Sequence, residues 1–395
     1  MKKYLLLMFF FVPLYFIAQE KISGEIDLKE LQISTAPSVI LLGISPSELE
    51  TPKSKKAIVF NIINSFKKNE GIPENYAFEV TPFWLLPFKN MTALKFAGIG
   101  KGDKQNIFSE VKKASLSLGF VRDLSLGADD EMKNPAFAFS ARGTLIKIRT
   151  KKNKEDIIAQ NKKVIKLLDK ILEDVKNSEE YKKERTRILD SCMKNNIELD
   201  SCEKILENRL NAFIKKNKYI TQSDGHYYRN LLEAPPLLSL DFAGGYSTFF
   251  SDNKFSNNHF GKLGFWITLN TGFDFTKKEL PDVTKSLNFY GIVRYLEDGT
   301  NMDDYQMFVK SKSFDFGGKA EFVYNRFSVS CEYIYRVNDL EKTFRASGLL
   351  AYKVSDKIYI NASFGKNYGD RDNLISFLGL NWGLDSEKKS VFVKK

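Results

Sequence analysis

From residue 75 onward the chain repeats one arrangement of apolar and polar positions. In "NYAFEVTPFWLL" (75–86), Tyr76, Phe78, Val80, Trp84 and Leu86 fall on one face of a strand. Ala77, Glu79 and Thr81 fall on the other. Period-two alternation marks a strand with one apolar and one polar face. Leu116, Leu118 and Phe120 alternate with Ser115, Ser117 and Gly119, and Phe137, Phe139 and Leu145 oppose Ser140, Arg142 and Thr144. Further runs of about ten residues follow between 236 and 385. In one of them Phe327, Val329, Cys331, Tyr333 and Tyr335 oppose Arg326, Ser328, Ser330, Glu332 and Arg336.

A soluble sandwich or barrel alternates in the same way with its apolar side inward. A transmembrane barrel turns the apolar side to lipid and the polar side to the lumen. Strands of about ten residues match tilted membrane spans. Trp84, Tyr246, Tyr295, Tyr335, Tyr352 and Trp382 lie near strand ends, as interfacial aromatic girdles do. The pattern therefore predicts an all-β transmembrane barrel of about 12 antiparallel strands (range 10–14), with an α-helical hairpin insert.

The strand number follows from turn lengths. Eleven runs are clear, and single-chain bacterial barrels use an even number with short periplasmic turns. Tight turns at Asn325 and at Ser355–Asp356 read as periplasmic, and "LEDGTNMDDYQMFVKS" (296–311) reads as a long extracellular loop. Counting back requires one further strand before residue 75. "KKAIVFNIINSF" (55–66) is ambiguous between a helix and that strand. The same count places the insert, residues 153–217, in the periplasm. Ile158, Ile165, Leu168, Leu172 and Val175, then Leu199, Cys202, Leu206, Leu210 and Phe213, are striped at helical spacing. The resulting division is 1–19, 20–54 (a periplasmic or plug segment), 55–150 (first strands), 151–220 (insert), 221–385 (remaining strands) and 386–395 (tail).

Composition sharpens the picture in a few places. Aromatics are 13% of 395 residues, too many for a disordered chain. The net charge of +11 is concentrated in the N-terminus and the insert. It reads as a solvated basic face, and no nucleic-acid partner is expected. Lys2 and Lys3 precede an apolar run from Tyr4 to Ala18, the pattern of a signal peptide cleaved near Ala18–Gln19. Export implies an oxidising compartment, the outer membrane of a Gram-negative bacterium, and outer-membrane lipid as the surrounding partner.

Cys192 and Cys202 are ten residues apart. One continuous helix would hold them about 15 Å apart, too far to pair. A turn at "KNNIE" (194–198) would bring them together as a disulfide; free thiols and a metal site are the alternatives. No metal or other cofactor is expected. Ser256 and Asn258 flank His259, the weak basis for a barrel hydrolase, and no catalytic residue is assigned. "GIGKGDK" (98–104) lacks phosphate-loop spacing and reads as a flexible loop.

The lumen wall is the candidate functional surface. Its inward positions are Glu79, Arg142, Lys262, Trp266, Asn270, Asp274, Arg294, Asp315, Lys319, Glu321, Glu332, Arg336 and Arg345. Twelve strands lie between a side-chain-filled barrel and an aqueous channel, so an open and a plugged lumen both remain.

"APSVILLGISPSELETPKSKKA" followed by "NYAFEVTPFWLL" resembles a family of uncharacterised exported β-barrel proteins from Bacteroidetes. The resemblance covers roughly the first 150 residues and implies an outer-membrane location; it implies no substrate or catalytic residue. Narrow, porin-like passage of small polar solutes is the expected function. The alternative is a closed barrel that docks a periplasmic partner through residues 153–217.

Overall fold

The computed structural model describes residues 25–27, 36–45, 47, 58–65, 75–86, 91–124, 134–216, 222–251, 254–280, 283–302, 307–339, 342–355, 358–369, 374–384 and 390–392. The segment 1–19 lies outside them. Twelve strands form the wall: β1 (Ile58–Ser65), β2 (Asn75–Val80), β3 (Ser115–Leu124), β4 (Asn134–Ile148), β5 (Leu238–Phe250), β6 (Asn258–Asp274), β7 (Lys285–Met302), β8 (Phe308–Tyr324), β9 (Phe327–Asn338), β10 (Lys342–Ser355), β11 (Ile358–Lys366) and β12 (Leu374–Leu384). Each pairs antiparallel with the next, and β12 pairs with β1 to close the barrel. Closure leaves no strand edge, which is what allows a sheet to sit in hydrocarbon.

The two faces are inverted relative to a soluble barrel. Outward positions such as Phe265, Ile267 and Leu269 on β6 or Phe314, Phe316 and Phe322 on β8 are exposed, while Thr268, Asp315 and Glu321 between them are buried. On β8 the apolar face runs from Phe314 to Tyr324, close to the 9–11 residues a tilted strand needs to cross a bilayer. Beyond it the outward face turns charged, with Lys310 paired to Glu297 at 3.1 Å. Among the described residues no helix is long and apolar enough to span a membrane.

Several expectations are corrected. The segment 296–311 is mostly strand, because β7 continues to Met302 and β8 starts at Phe308. These extensions stand beyond the apolar belt, so hydrophobic alternation does not reveal them. The strand at 75–86 stops at Val80, since Pro82 cannot donate to a ladder and opens a 3-10 turn, Pro82–Leu85. Trp84 is therefore buried against Phe83 and Phe96 and belongs to no girdle. "GIGKGDK" is a closed turn: Ile99 bridges Gln105, and Gly98 and Gly102 take the positive φ the turn needs.

The insert carries more helices than a hairpin. α1 (Pro37–Leu41) and α2 (Ala93–Phe96) precede it; α3 (Lys151–Asn177), α4 (Glu179–Lys194) and α5 (Leu199–Lys216) form it; α6 (Gln222–Glu233) continues it into residues expected to be barrel. Thr150 and Ser178 cap α3 and α4 with their side-chain oxygens. The buried stripe of α3 is Ile157, Val164, Ile171 and Val175, with Gln160 and Asn161. It is rotated by one residue from the expected stripe because Tyr228 of α6 docks there and donates to Asn161 Oδ1 at 2.8 Å. Cys192 and Cys202 form a disulfide with Cα atoms 6.1 Å apart, across a turn in which Asn196 has φ +49°.

The first half of α3 packs with α6, α2 and the turn at 82–85 in one apolar cluster that includes Phe83, Phe96, Ile157, Val164, Tyr228 and Leu232. Arg149 ties it to the barrel. Its guanidinium donates to the carbonyls of Ala97 (3.1 Å), Leu232 (2.8 Å) and Leu231 (3.4 Å). A short ladder, Glu25–Asp27 with Ser390–Phe392, lies against α6 and α2 on the same side.

Candidate functional site

The inward wall around mid-barrel is thinned. Ala77, Gly119, Ala138, Ser140, Ala243, Gly245 and Gly264 stand where larger side chains would fill a lumen. α1 occupies the space. Ala36 to Leu42 are buried, and α1 touches β3, β4, β5 and β6. A Cβ on Gly119 would lie 2.8 Å from Leu42 Cδ1 and 3.3 Å from Ser38 Cβ, and one on Gly264 would lie 3.1 Å from Leu41 Cδ2. Val39, Ile40, Leu41 and Leu42 join Trp266, Ile292, Leu296 and Ile334 in the barrel's internal apolar core. One backbone group of the plug reaches the wall: Ser38 N donates to Ser117 Oγ at 3.4 Å.

The chain leaving α1 is held by charged wall residues. Ser47 Oγ donates to Glu332 Oε2 at 2.6 Å, and Arg345 Nη2 donates to the Ser45 carbonyl at 3.2 Å. Glu332 and Arg345 lie 3.5 Å apart. Two other clusters cross-brace the wall. Arg142 makes a two-pronged pair with Glu79 (2.7 and 2.8 Å), which also accepts from Ser115 at 2.6 Å. Asp315 accepts from Arg294 at 2.7 Å and from Arg336 at 2.7 and 2.9 Å. Arg336 stacks 3.7 Å from the Tyr368 ring. Paired, hydrogen-bonded charge is the form in which buried ions are tolerated.

Between the plug and the helices lies a cavity of about 290 Å³. Its wall includes Asp241, Asn270, Asp274, Asn288, Tyr290 and Glu321, and its rim includes Glu110, Lys113, Lys147 and Arg149. Asp241 accepts from Thr144 and from Ser239. Glu321 Oε2 accepts from Tyr290 at 3.0 Å and Asn288 at 3.4 Å. Neither carboxylate has a Lys or Arg partner among the described residues. Asn270 Oδ1 is buried there with no donor among the described residues. At the rim, burial disfavours the Glu110 carboxylate. Lys113, Lys147 and Arg149 outweigh that and hold its pKa well below the usual range.

Of the residues picked as lumen-facing, the structure buries Glu79, Arg142, Trp266, Arg294, Asp315, Lys319, Glu321, Glu332 and Arg345 inside the barrel. Lys262, Asn270 and Arg336 are half-buried, with Lys262 paired to Asp298 at 2.8 Å. Asp274 is exposed at the end of β6, on the cavity rim. Asp241, Tyr290, Ser45 and Ser47 were missed. The first two were readable from strand parity, while the plug serines lie in a segment without periodicity. His259 stacks on Phe249, and Ser256 Oγ donates to Asn257, so the hydrolase reading gains no nucleophile there. Among the described residues no group of three His, Cys, Asp or Glu side chains is placed to hold a metal.

The inverted faces and the closed ladder define the class: a twelve-stranded transmembrane β-barrel. No protein-family model and no curated protein matches the sequence. Among solved structures the chain is similar to the NanC porin, with 10% identity, TM-score 0.32, and 83% of this chain and 98% of that one covered. It is also similar to the transport unit of the autotransporter AIDA-I from Escherichia coli, with 10% identity, TM-score 0.33 and coverage of 88% and 96%. A third likeness is to a porin at 6% identity, TM-score 0.26 and coverage of 80% and 64%. At this level of similarity they carry no argument about what passes through the barrel.

Proposed function

We propose that the protein is an outer-membrane barrel of a Gram-negative bacterium that passes small polar solutes and is held shut at rest by its own residues 36–45 and 47. One observation carries the reading: a buried segment outside the wall fills a lumen whose inward residues there are mostly Gly, Ala and Ser. A barrel filled only for stability needs no separate segment, since strand side chains suffice. A segment that is not part of the wall can also leave it. The polar cavity on the helix side, lined by charged side chains of both signs and by Asp241 and Glu321, which lack a Lys or Arg partner among the described residues, supports polar cargo. The resemblance to exported Bacteroidetes barrels accords with the location.

Conductance in planar bilayers tests this. The native chain should conduct rarely. Deleting residues 36–47, or Gly119→Leu, whose Cβ would already crowd Leu42 and Ser38 of the plug, should raise conductance about tenfold or more. Low conductance in both variants would remove the passage and leave a closed anchoring barrel.

A second reading rests on the insert. Its first half is welded to the barrel through Arg149, whereas α4 and α5 pack on α3 and on each other, closed by the disulfide, with Met193 and Ile205 exposed. Such an arm fits a docking element for a periplasmic protein. Deleting 179–216 should leave conductance intact and abolish crosslinking to that partner; unchanged crosslinking would discard the reading.

A further inference from the structure

Between β2 and β3 the chain leaves the wall for an excursion whose described residues, 81–86 and 91–114, lie on the helix side. Among these described residues four apolar side chains remain in the open: Leu85, Leu86, Phe108 and Val111, with Leu86 and Phe108 each 58% exposed. The 3-10 turns Pro82–Leu85 and Val111–Lys113 touch one another. The second runs directly into β3, whose outward Leu116 begins the apolar belt. The exposed patch is therefore continuous with the face that meets lipid.

Beside this patch cations gather. Residues 91–114 carry Lys95, Lys101, Lys104, Lys112 and Lys113 against Asp103 and Glu110. Lys113 turns inward, with its ammonium 2.8 Å from Glu110 and 4.1 Å from the Phe96 ring. Lys112 stays exposed, 5.2 Å from the Phe83 ring, within electrostatic reach of Lys95. Neither Lys112 nor Lys95 has a carboxylate partner among the described residues. Burial and the neighbouring Lys113 lower the Lys112 pKa, only partly offset by Glu110. Two ammonium groups within electrostatic reach of one another at the edge of an apolar surface repel, and an anion between them relieves the repulsion. Apolar side chains at acyl depth with lysines at headgroup level are how peripheral segments sit on anionic membranes.

We infer that residues 81–86 and 91–114 form an interfacial anchor with a headgroup site. Leu85, Leu86, Phe108 and Val111 sit among the acyl chains of the helix-side leaflet, and Lys95 and Lys112 hold the phosphate of an anionic phospholipid. Continuity with the belt and the charge excess select this occupant over a second copy of the chain. The inference rests on the membrane-spanning barrel and is independent of whether the lumen opens.

The test uses the full chain purified in detergent and offered equal amounts of phosphatidylglycerol and phosphatidylcholine, with retained lipid counted by native mass spectrometry. The native chain should prefer phosphatidylglycerol about fivefold. Lys95→Gln with Lys112→Gln should bring the ratio close to one, Lys112→Gln alone should lower it, and Lys204→Gln on α5 should not change it. Heat-modifiable gel mobility reports that each barrel is folded. Full preference in the double variant overturns the site. Displacement by millimolar inorganic phosphate would make free phosphate the ligand and overturn the lipid. If Leu86→Ser with Phe108→Ser dissociates an oligomer and leaves lipid retention unchanged, the patch is a contact between copies and the anchor is overturned.

Discussion

Around the plug, Glu79, Asp315 and Glu332 each face an arginine; nearer the helices, Asp241 and Glu321 accept from hydroxyls and an amide and have no Lys or Arg partner among the described residues. The same barrel thus contains two kinds of buried acid. A carboxylate gripped by arginine is saturated and acts as a brace. One held by neutral donors keeps its charge available to whatever enters the cavity beside it. Bracing surrounds α1, and availability begins where the empty space begins. The difference separates what closes the lumen from what a solute would meet.

The comparison breaks most sharply by neutralising one acid of each kind. Glu79→Gln strands the Arg142 guanidinium in the wall and should cost about 3–5 kcal/mol. Glu321→Gln retains an acceptor for Tyr290 and should cost only about 1 kcal/mol. Guanidinium unfolding in lipid vesicles checks both, and equal losses would erase the distinction. A smaller effect is expected on selectivity. In the Gly119→Leu background, Asp241→Asn with Glu321→Gln should lower the cation-over-anion permeability ratio a few-fold, read from the reversal potential. An unmoved potential would mean that the cavity acids do not face the permeating ion.

The smallest effect is at the rim. Because the Glu110 carboxyl is held below its ordinary pKa, its stabilisation of the rim is fully present above the unfolded value of about 4.3. It is lost as pH falls through the folded value. Hydrogen exchange of residues 99–114 should therefore be flat, after correction for intrinsic rates, from about pH 8 to 5 and rise in stronger acid. Glu110→Gln should remove that acid step; a step retained in the variant would assign it to another group.

How far the sequence revealed this depended on which solvent a residue meets. Alternation is enforced only where one face touches lipid, so the belt from Phe314 to Tyr324 was legible and the extension to Met302 was not. β1 was ambiguous from its own eight residues, and parity of the whole barrel favoured it. Pro82 could have ended β2 at Val80, but alternation through Trp84 masked the break. The helical stripe was displaced because Asn161 is buried by a hydrogen bond to Tyr228 of α6, which has no counterpart in local hydrophobicity. α6 itself was hidden by Gly225 and by its nearness to β5. The plug was an open alternative: "APSVILLGIS" is apolar without a period, and only the small residues on five separate strands reveal its seat.

The central claim is that residues 36–45 occupy the lumen, with Ser38 and Leu42 against β3. Ser38 Cβ lies 3.3 Å from where a Cβ on Gly119 would stand, close to the roughly 3.8 Å separation of disulfide-bonded cysteines. In a Cys331→Ser background, Ser38→Cys with Gly119→Cys should crosslink in intact membranes without added oxidant. Conductance should be locked low until a reductant releases it. Failure to crosslink, with conductance indifferent to reductant, would contradict the account.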